Sequence, residues 1–511
     1  MHRREALKLF IGAGGVVAMF GCTSDEQAGD SSAATSVAGA NPTPSPDSDL
    51  SLHLWAEPST AEIVPGIVTD VLAYGGVVLN GDPDALTASG SYLGPTINVR
   101  TGQRLHVMFE NRLDEDSIVH WHGLDVPQDQ DGQPDDVVGP GETYTYDFVV
   151  DNAPGTYWYR PHPHGRTGSQ VYRGLAGLLI VRGDEPLSAG DNDLAIVLQD
   201  RTIGGDGALR YVTDMHDQMA GFLGLDLVAN GEVGHTIDVR PEAYRVRLLN
   251  GSNSRTGYLT WSTQDPITVV AVDGVLLPEA VDVPGLVLTP AQRTDLWVDF
   301  SGFGPGESVE LRLANTFVES GMGMGGGMGM VSSTDTTLAL DGEVAVTFVV
   351  ADGDPTPGTR PTSLSEIPSI IEQAVNPDSP KVFELSTFRA AHWINDAQWE
   401  GRTATELETV KAGSVERWEF VNRSPLPHPM HLHGRHFEVV SRTWDDDTAA
   451  TSWGQIEAGI IDAGRRDTVL VWPGQRVQIA VPFGEHLGYF MYHCHILEHE
   501  DAGMMRNFHV T

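Results

Sequence analysis

The chain has 511 residues, 40% of them hydrophobic, and a formal net charge of −39 at pH 7. That length suits two to four domains, each with its own core. The negative charge argues against a nucleic-acid partner, because the phosphate backbone is bound by clustered Lys and Arg. A well-solvated acidic surface explains the charge, and a surface that gathers metal cations is the alternative.

The N-terminal segment, residues 1–22, is typical of an export signal. Arg3 and Arg4 form a twin-arginine pattern, and an apolar run follows over residues 9–20. That run is shorter than the roughly 20 residues of a membrane-spanning helix. Cys22 closes the segment in a context that resembles the lipidation site of bacterial lipoproteins. We therefore expect a protein in the periplasm or on the outer face of the cell membrane, anchored by lipid at Cys22. Simple cleavage and an uncleaved anchor are the alternatives.

Beyond the signal, the pattern indicates a disordered linker and then β-structure. Residues 23–49 are rich in Ser, Ala, Gly, Pro and Asp, as disordered linkers are. From residue 50 onward, short β-rich runs such as 105–109 and 477–481 are separated by Gly, Pro, Asn and Asp. The fold class is therefore all-β. The predicted domains are 50–184, 190–352 and 375–511.

Two segments of the chain echo each other loosely. Residues 289–296 read Thr-Pro-Ala-Gln-Arg-Thr-Asp-Leu, and residues 467–475 begin Asp-Thr-Val-Leu-Val. Three β-domains of similar structure would explain this echo.

Four short motifs hold ten of the 19 histidines, a clustering that chance does not explain. Alternate residues of a strand share one face, so a His-x-His pair presents both imidazoles to neighbouring metal ions. The motifs are residues 120–123, 159–165, 428–434 and 492–505.

The last motif contains Cys494, which lies far from the other cysteine of the chain, Cys22 in the export signal. Cys494 therefore has no partner for a structural disulfide. Thiolate, imidazole and a weak thioether are the ligands of a blue-copper site. In a strand, His493 and His495 would point away from the face that carries Cys494. One peptide could then hold a copper on one face and two more on the other.

With Gly94-Pro95-Thr96-Ile97 and Gly155-Thr156-Tyr157-Trp158-Tyr159, these motifs make residues 50–511 resemble three-domain multicopper oxidases of the laccase and cuprous-oxidase kind. The resemblance implies three cupredoxin-like Greek-key β-sandwich domains and four coppers. A type 1 copper would take single electrons from a small-molecule or metal-ion reductant, such as a phenol, an aromatic amine or Cu(I). A trinuclear cluster between domains 1 and 3 would reduce dioxygen to water. We expect a monomer.

The resemblance also implies a ligand for each copper. The type 1 copper would be bound by His428, Cys494 and His499, with Met504 as the axial ligand. The remaining coppers would be held by histidines alone. These are His120 and His431 for type 2, His122 and His495 for one type 3 copper, and His162, His433 and His493 for the other.

Arg160 is the departure from the family pattern, which has a third ligand for the copper of His122 and His495 at this place. A guanidinium has no free acceptor and keeps its proton, so it cannot bind copper. We expect one type 3 copper to be under-coordinated or lost, and dioxygen reduction to be weakened. The alternative function is then a type 1 copper electron-transfer or storage protein.

A two-residue register slip, with His162 and His164 as ligands, is the alternative explanation of this motif. A copper-free protein that keeps only the fold is disfavoured by the intact type 1 residues.

Two carboxylates are candidates for supplying protons to reduced oxygen. Glu500 follows the predicted ligand His499, and Asp131 follows the first motif by nine residues. Both match acidic positions of bacterial family members, and a carboxylate linked through water can relay protons. A solvated surface acid is the alternative for each.

A methionine–glycine segment, residues 321–330, stands apart from the histidine motifs. Thioethers bind Cu(I), so the segment could deliver cuprous ions for oxidation. A hairpin tip without any ligand is the other interpretation.

Overall fold

The computed structural model describes residues 43, 45, 47–185, 187, 192–212, 215–316, 338, 340–388, 391–445 and 451–511. The export signal with Cys22, nearly all of the 23–49 linker and the methionine–glycine segment 321–330 lie outside these residues. Within the described ranges, no helix combines the length and the hydropathy needed to cross a membrane.

Two sheets, in the orders β2-β1-β5-β7 and β3-β4-β9-β8-β6, form the first β-domain. The alternate leucines at 50, 52 and 54 of the first strand belong to the core cluster of this domain, and Ser51 between them is also fully buried. The strands are β1 (Leu50–Val64), β2 (Ile67–Asn80), β3 (Leu86–Thr87), β4 (Thr96–Arg100), β5 (Arg104–Asn111), β6 (Val119–His122), β7 (Thr143–Val149), β8 (Gly155–Pro161) and β9 (Gly177–Arg182).

The second β-domain has sheets in the orders β12-β11-β10-β14-β19-β16-β17 and β13-β21-β20-β15-β18. Its core is the aliphatic cluster between them, with Phe300 and Phe348. The strands are β10 (Asp193–Arg201), β11 (Asp226–Ala229), β12 (Glu232–Val233), β13 (Thr236–Val239), β14 (Ala243–Asn250), β15 (Gly257–Trp261), β16 (Ile267–Val272), β17 (Val275–Val283), β18 (Leu286–Leu288), β19 (Arg293–Asp299), β20 (Ser308–Asn315) and β21 (Glu343–Val350).

The third β-domain repeats the plan, with sheets β23-β22-β25-β30-β27-β28 and β24-β32-β31-β26-β29. Cys494 and Met504 belong to its buried core cluster. The strands are β22 (Lys381–Phe388), β23 (Ala391–Ile394), β24 (Thr409–Val410), β25 (Val415–Asn422), β26 (His428–Leu432), β27 (Phe437–Trp444), β28 (Arg465–Arg466), β29 (Thr468–Val471), β30 (Gln475–Pro482), β31 (Gly488–Cys494) and β32 (Met505–Val510).

Short helices fill the connections between the strands. Among the described residues, the α-helices are α1 (Thr167–Arg173), α2 (Met215–Ala220), α3 (Thr451–Ile456) and α4 (Leu497–Asp501), and the 3-10 turns are Pro83–Ala85, Gln128–Gln130, Pro134–Asp136, Ile371–Gln373 and Glu457–Gly459. Asp501 of α4 accepts hydrogen bonds from the backbone N–H groups of Thr167 and Gly168, at 2.9 and 2.8 Å. These bonds satisfy free N–H groups at the start of α1 and tie the third domain to the first.

Strand register brings the histidine motifs together. In the first domain His120 lies opposite Arg160, because β6 pairs with β8. In the third domain His431 lies opposite His493, because β26 pairs with β31. Opposed residues of paired strands project to the same face, so each domain presents one short row of polar side chains.

Candidate metal centre

One group of possible ligands surrounds the sulfur of Cys494. Its Sγ atom lies 3.4 Å from His428 Nδ1 and 3.5 Å from His499 Nδ1. All three side chains are fully buried, and so is Met504 in the same core cluster. Thiolate sulfur, two imidazole nitrogens and a nearby thioether are the donor set of a blue-copper site.

The partners of the two imidazoles leave their Nδ1 atoms for the metal. Ser424 Oγ lies 2.6 Å from His428 Nε2, and His499 Nε2 donates to the carbonyl of Met219 at 3.0 Å. Burial lowers the pKa of both histidines well below its ordinary value. The rings are therefore neutral, the form that binds metals. Burial also raises the pKa of the Cys494 thiol, so metal binding must displace a proton.

A second set of histidines occupies the interface of the first and third domains. His433 Nε2 lies 3.3 Å from His162 Nε2 and 3.2 Å from His493 Nε2. In a neighbouring group, ring nitrogens of His120, His122 and His431 lie within 4.8 Å of one another. Imidazole nitrogens at such distances can bind one metal ion or two neighbouring ones.

Asp131 orients one histidine from each domain. The carbonyl oxygen of Asp131 accepts from His120 Nδ1 at 2.8 Å, and its carboxylate accepts from His433 Nδ1 at 2.8 Å. The Nε2 atom of His120 then has no partner among the described residues. An acceptor at one ring nitrogen fixes the tautomer and leaves the other nitrogen for a metal.

Asp467 plays the same part for two other histidines. Its Oδ1 accepts from His122 Nε2 at 3.2 Å, and its carbonyl accepts from His431 Nδ1 at 2.9 Å. In the described part of the chain, neither His122 Nδ1 nor His431 Nε2 has a hydrogen-bond partner. His495 is buried with both ring nitrogens unpartnered there, and its ring centroid lies 5.2 Å from that of His122. Buried polar atoms without partners are rare, so these orphaned nitrogens fit a metal centre.

Arg160 occupies the place beside His493 and Glu500, fully buried. Its Nη1 and Nη2 atoms donate to the two carboxylate oxygens of Glu500, both at 3.2 Å. Nη2 also lies 3.4 Å from His493 Nε2. The residues thus fit copper at the Cys494 group, at His120 with His431, and at the group of His162, His433 and His493. They do not supply a third ligand beside His122 and His495.

The register slip proposed as an alternative for this motif is wrong. His164 is exposed, and its ring packs against Trp399 with centroids 4.6 Å apart. The turn after β8 carries the chain away from the cluster, so His164 cannot replace Arg160.

Comparison with known proteins agrees with this geometry. Family models described as multicopper oxidase match residues 74–186 and 374–511. A multicopper oxidase of Staphylococcus haemolyticus is 30% identical over 84% of this chain and 85% of that protein. A laccase of Haloferax volcanii is 31% identical over 81% of this chain and 76% of that protein. The crystal structure of the multicopper oxidase McoA from Aquifex aeolicus covers 91% of this chain and 96% of its own, with 31% identity and a TM-score of 0.73.

The chain belongs to the multicopper oxidase family. This membership confirms the predicted fold of three cupredoxin-like domains and the predicted enzyme class, an oxidoreductase with dioxygen as acceptor. It likewise confirms, at the level of the family, copper as cofactor and a small-molecule or metal-ion reductant.

Both predicted proton-relay carboxylates of this multicopper oxidase are buried in the cluster rather than on the surface. Burial raises the pKa of Glu500, against the opposing effect of Arg160. Burial also acts to raise the pKa of Asp131, but His433 and His120 outweigh it and hold that pKa well below its usual range. The solvated-surface alternative is therefore wrong for both residues.

Sequence reasoning missed the part of Asp467 and of its partner Arg293, which lies on β19 in the second domain. Arg293 Nη1 and Nη2 donate to the Asp467 carboxylate at 2.9 and 2.6 Å. The signal was present, since both residues lie in the two segments that echo each other. Domain repetition accounts for the echo only in part, because the two segments also meet in space.

Proposed function

We propose that this multicopper oxidase takes single electrons from a reductant at the Cys494 group and reduces dioxygen to water at the histidine cluster. The observation that carries the proposal is the position of one peptide. Cys494 lies in the first group, while His493 and His495 extend into the second. Only a few covalent bonds separate the two groups. Bound copper would supply the one-electron redox chemistry, as one type 1, one type 2 and two type 3 ions.

The electron donor docks outside the protein core in this proposal. Every side chain of the Cys494 group is buried, so a donor cannot touch the sulfur. His499 is linked to a surface element, because its Nε2 donates to the Met219 carbonyl on α2, a helix without buried residues. We propose a phenol, an aromatic amine or a metal ion such as Cu(I) as donor, each of which gives up one electron at a time.

The carboxylates carry protons to the reduced oxygen in this proposal. Glu500 lies 3.2 Å from both His162 Nδ1 and His493 Nδ1. Asp131 lies against His120 and His433 on the other side. Glu500, whose pKa is raised by burial, can hold a proton within one water molecule of the cluster, and Asp131, whose pKa is lowered, is an ionised group that can accept one.

Arg160 favours a second candidate function. A fixed cation next to His493 disfavours a further cation nearby. If this repulsion keeps a type 3 position empty, the protein is a type 1 copper electron-transfer or copper-binding protein with impaired dioxygen reduction.

Copper content and oxygen uptake separate the two functions. For the copper-loaded protein, about four coppers per chain with donor-dependent oxygen consumption supports the oxidase. A blue protein with fewer coppers and no oxygen uptake refutes it and supports the second candidate.

The variant Arg160→His tests the reason for any deficit. We expect it to gain copper and oxygen uptake, because an imidazole supplies the missing ligand. Arg160→Gln is the control, since it removes the charge without supplying an imidazole. An equal gain of copper and oxygen uptake in both variants would show that the charge of Arg160, and not the missing ligand, limits the site.

We also propose export by the twin-arginine signal, a lipid anchor at Cys22 and a monomeric state. The support is the motif at Arg3 and Arg4 and the position of Cys22 after the apolar run. In cell fractionation, the wild-type protein should be found in the membrane fraction. The variant Cys22→Ser should be released from the membrane. Recovery of both in the cytoplasm would contradict export, and light scattering of the purified protein tests the monomer.

A further inference from the structure

A buried ion pair marks the point where the three domains meet. Asp467 precedes β29 in the third domain, and Arg293 begins β19 in the second. Both are almost completely buried, and two parallel N–H···O bonds join them. Gly123 of the first domain lies against them, so close that a Cβ atom there would be 2.7 Å from Asp467 Oδ2 and 2.8 Å from Arg293 Nη2.

Asp467 contacts two cluster histidines through two different groups. Its carboxylate accepts a hydrogen bond from His122 of the first domain, and its backbone carbonyl accepts one from His431 of the third. Both contacts leave the opposite ring nitrogen without a partner among the described residues. The two histidines would therefore face copper through different atoms, Nδ1 for His122 and Nε2 for His431.

The second domain holds both the side chain and the backbone of Asp467. Arg293 binds the carboxylate through its planar fork. The carboxylate of Asp273 accepts from the backbone N–H groups of Asp467 and Thr468, each at 3.2 Å. Asp273 also accepts from the backbone N–H of Arg293 at 2.9 Å, which links the two supports.

We propose that Asp467 is a positioning residue for the oxygen-reducing cluster, and that the second domain holds it in place through Arg293 and Asp273. The second domain contributes no ligand to the proposed set, so this would be its part in the reaction. The inference rests on the proposed function, because it takes His122 and His431 as ligands.

The arrangement requires a carboxylate. Three N–H groups, two from Arg293 and one from His122, share the two oxygens of Asp467. An asparagine of the same shape has one acceptor oxygen and two donor hydrogens. In Asp467→Asn the amide NH2 would face Arg293 Nη2 if it took the place of Oδ2, or Arg293 Nη1 and His122 Nε2 if it took the place of Oδ1. Either the hold of Arg293 on this side chain or the acceptor of His122 would therefore be lost.

The test compares Asp467→Asn and Arg293→Met with Asp295→Asn. Asp295 is a matched control, because it is equally buried in the second domain and accepts from Arg245 at 2.8 and 2.6 Å without contacting a cluster histidine. Four quantities would be measured for each variant: the copper content per chain, the copper affinity by chelator competition, the paramagnetic resonance spectrum of type 2 copper, and the thermal stability of the copper-free protein.

We expect Asp467→Asn and Arg293→Met to weaken cluster copper binding by about 10- to 100-fold, the range of lost outer-shell contacts to metal ligands. Their type 2 spectrum should change while the blue absorption of the Cys494 group stays. Asp295→Asn should lower stability alone. If Asp467→Asn folds poorly, Arg293→Lys keeps the charge, loses the fork and should show a smaller loss of the same kind.

The inference would be overturned if the Asp467 and Arg293 variants kept the type 2 spectrum and the copper affinity of the wild type. Their only change would then be a loss of stability like that of Asp295→Asn. Failure of the proposed function looks different, because the wild-type protein itself would then consume no oxygen with any donor, whatever its copper affinity and type 2 spectrum.

Discussion

The Arg160–Glu500 pair can be tested without any copper. In the wild-type protein the Glu500 carboxylate accepts two N–H groups of the Arg160 guanidinium, at 3.2 Å each. In Glu500→Gln the amide has only one acceptor oxygen for them. The other acceptors within reach among the described residues are the carbonyl of Pro161, at 3.1 Å from Nη1, and His493 Nε2, at 3.4 Å from Nη2. Removing one partner of a buried pair costs about 3–5 kcal/mol. Because both bonds are long for charged groups, we expect about 3 kcal/mol, the lower end.

Calorimetry of the chelator-treated protein measures this loss. For a chain of 511 residues, the unfolding entropy is about 1 kcal/mol/K, so 3 kcal/mol corresponds to a fall of about 3 °C in Tm. Glu115→Gln is the control, because Glu115 pairs with the exposed side chains of Arg166 and Arg173. Surface pairs contribute about 0–1 kcal/mol, so its Tm should fall by about 1 °C or less.

The double variant Arg160→Met with Glu500→Gln completes the cycle. It removes both charges, so the stability loss should be smaller than the sum of the two single losses by about 2 kcal/mol. Additive losses, within about 0.5 kcal/mol, would refute the pairing and with it the reason given for the altered cluster.

Three further predictions concern the centre and its surroundings. Gly123→Ala should unfold at a lower temperature than its control, Gly102→Ala. Both glycines have positive φ, +91° and +82°, but only a Cβ atom at 123 would contact neighbouring atoms. Overpacking of this kind costs about 1–3 kcal/mol, and equal melting temperatures would contradict the crowding. Cys494→Ser should abolish the blue absorption while cluster copper remains detectable by resonance, and persistent blue colour would exclude Cys494 as the ligand. Ser424→Ala removes the 2.6 Å contact to His428 and should weaken type 1 copper binding by about 10- to 100-fold in chelator competition, with cluster copper as the internal reference.

The sequence was sufficient to predict the architecture and most of the centre. Strand-length apolar runs and turn residues predicted an all-β chain, and the structure and its relatives confirm three cupredoxin-like domains. His-x-His spacing predicted paired imidazoles on one face, and β6 places one such pair within a strand, while β26 and β31 end one residue before the second histidine of theirs. The pair of His162 and His164 lies beyond β8 and is separated. Local motifs succeed here because strand geometry alone determines which alternate residues point together.

Contacts between distant segments could not be predicted in this way. Arg160 and Glu500 are 340 positions apart, and Arg293 and Asp467 are 174 apart. Each residue looks ordinary within its own segment, and only the packing of whole domains brings it to its partner. Glu500 was predicted as a proton relay from its position alone, whereas the structure also makes it the counter-ion of Arg160.

The distribution of the ligands along the chain has a consequence for biosynthesis. The ligand His122 and the residue that orients it, Asp467, are 345 positions apart, which a ribosome working at about 5–20 residues per second covers in roughly 17–70 s. During that interval the N-terminal half of the cluster exists without its C-terminal half, so it cannot close around a metal. Copper must therefore enter after translation ends, and chains interrupted before the last motif remain without cluster metal. A preparation that contains such interrupted chains therefore holds less cluster copper per chain than its full-length chains do.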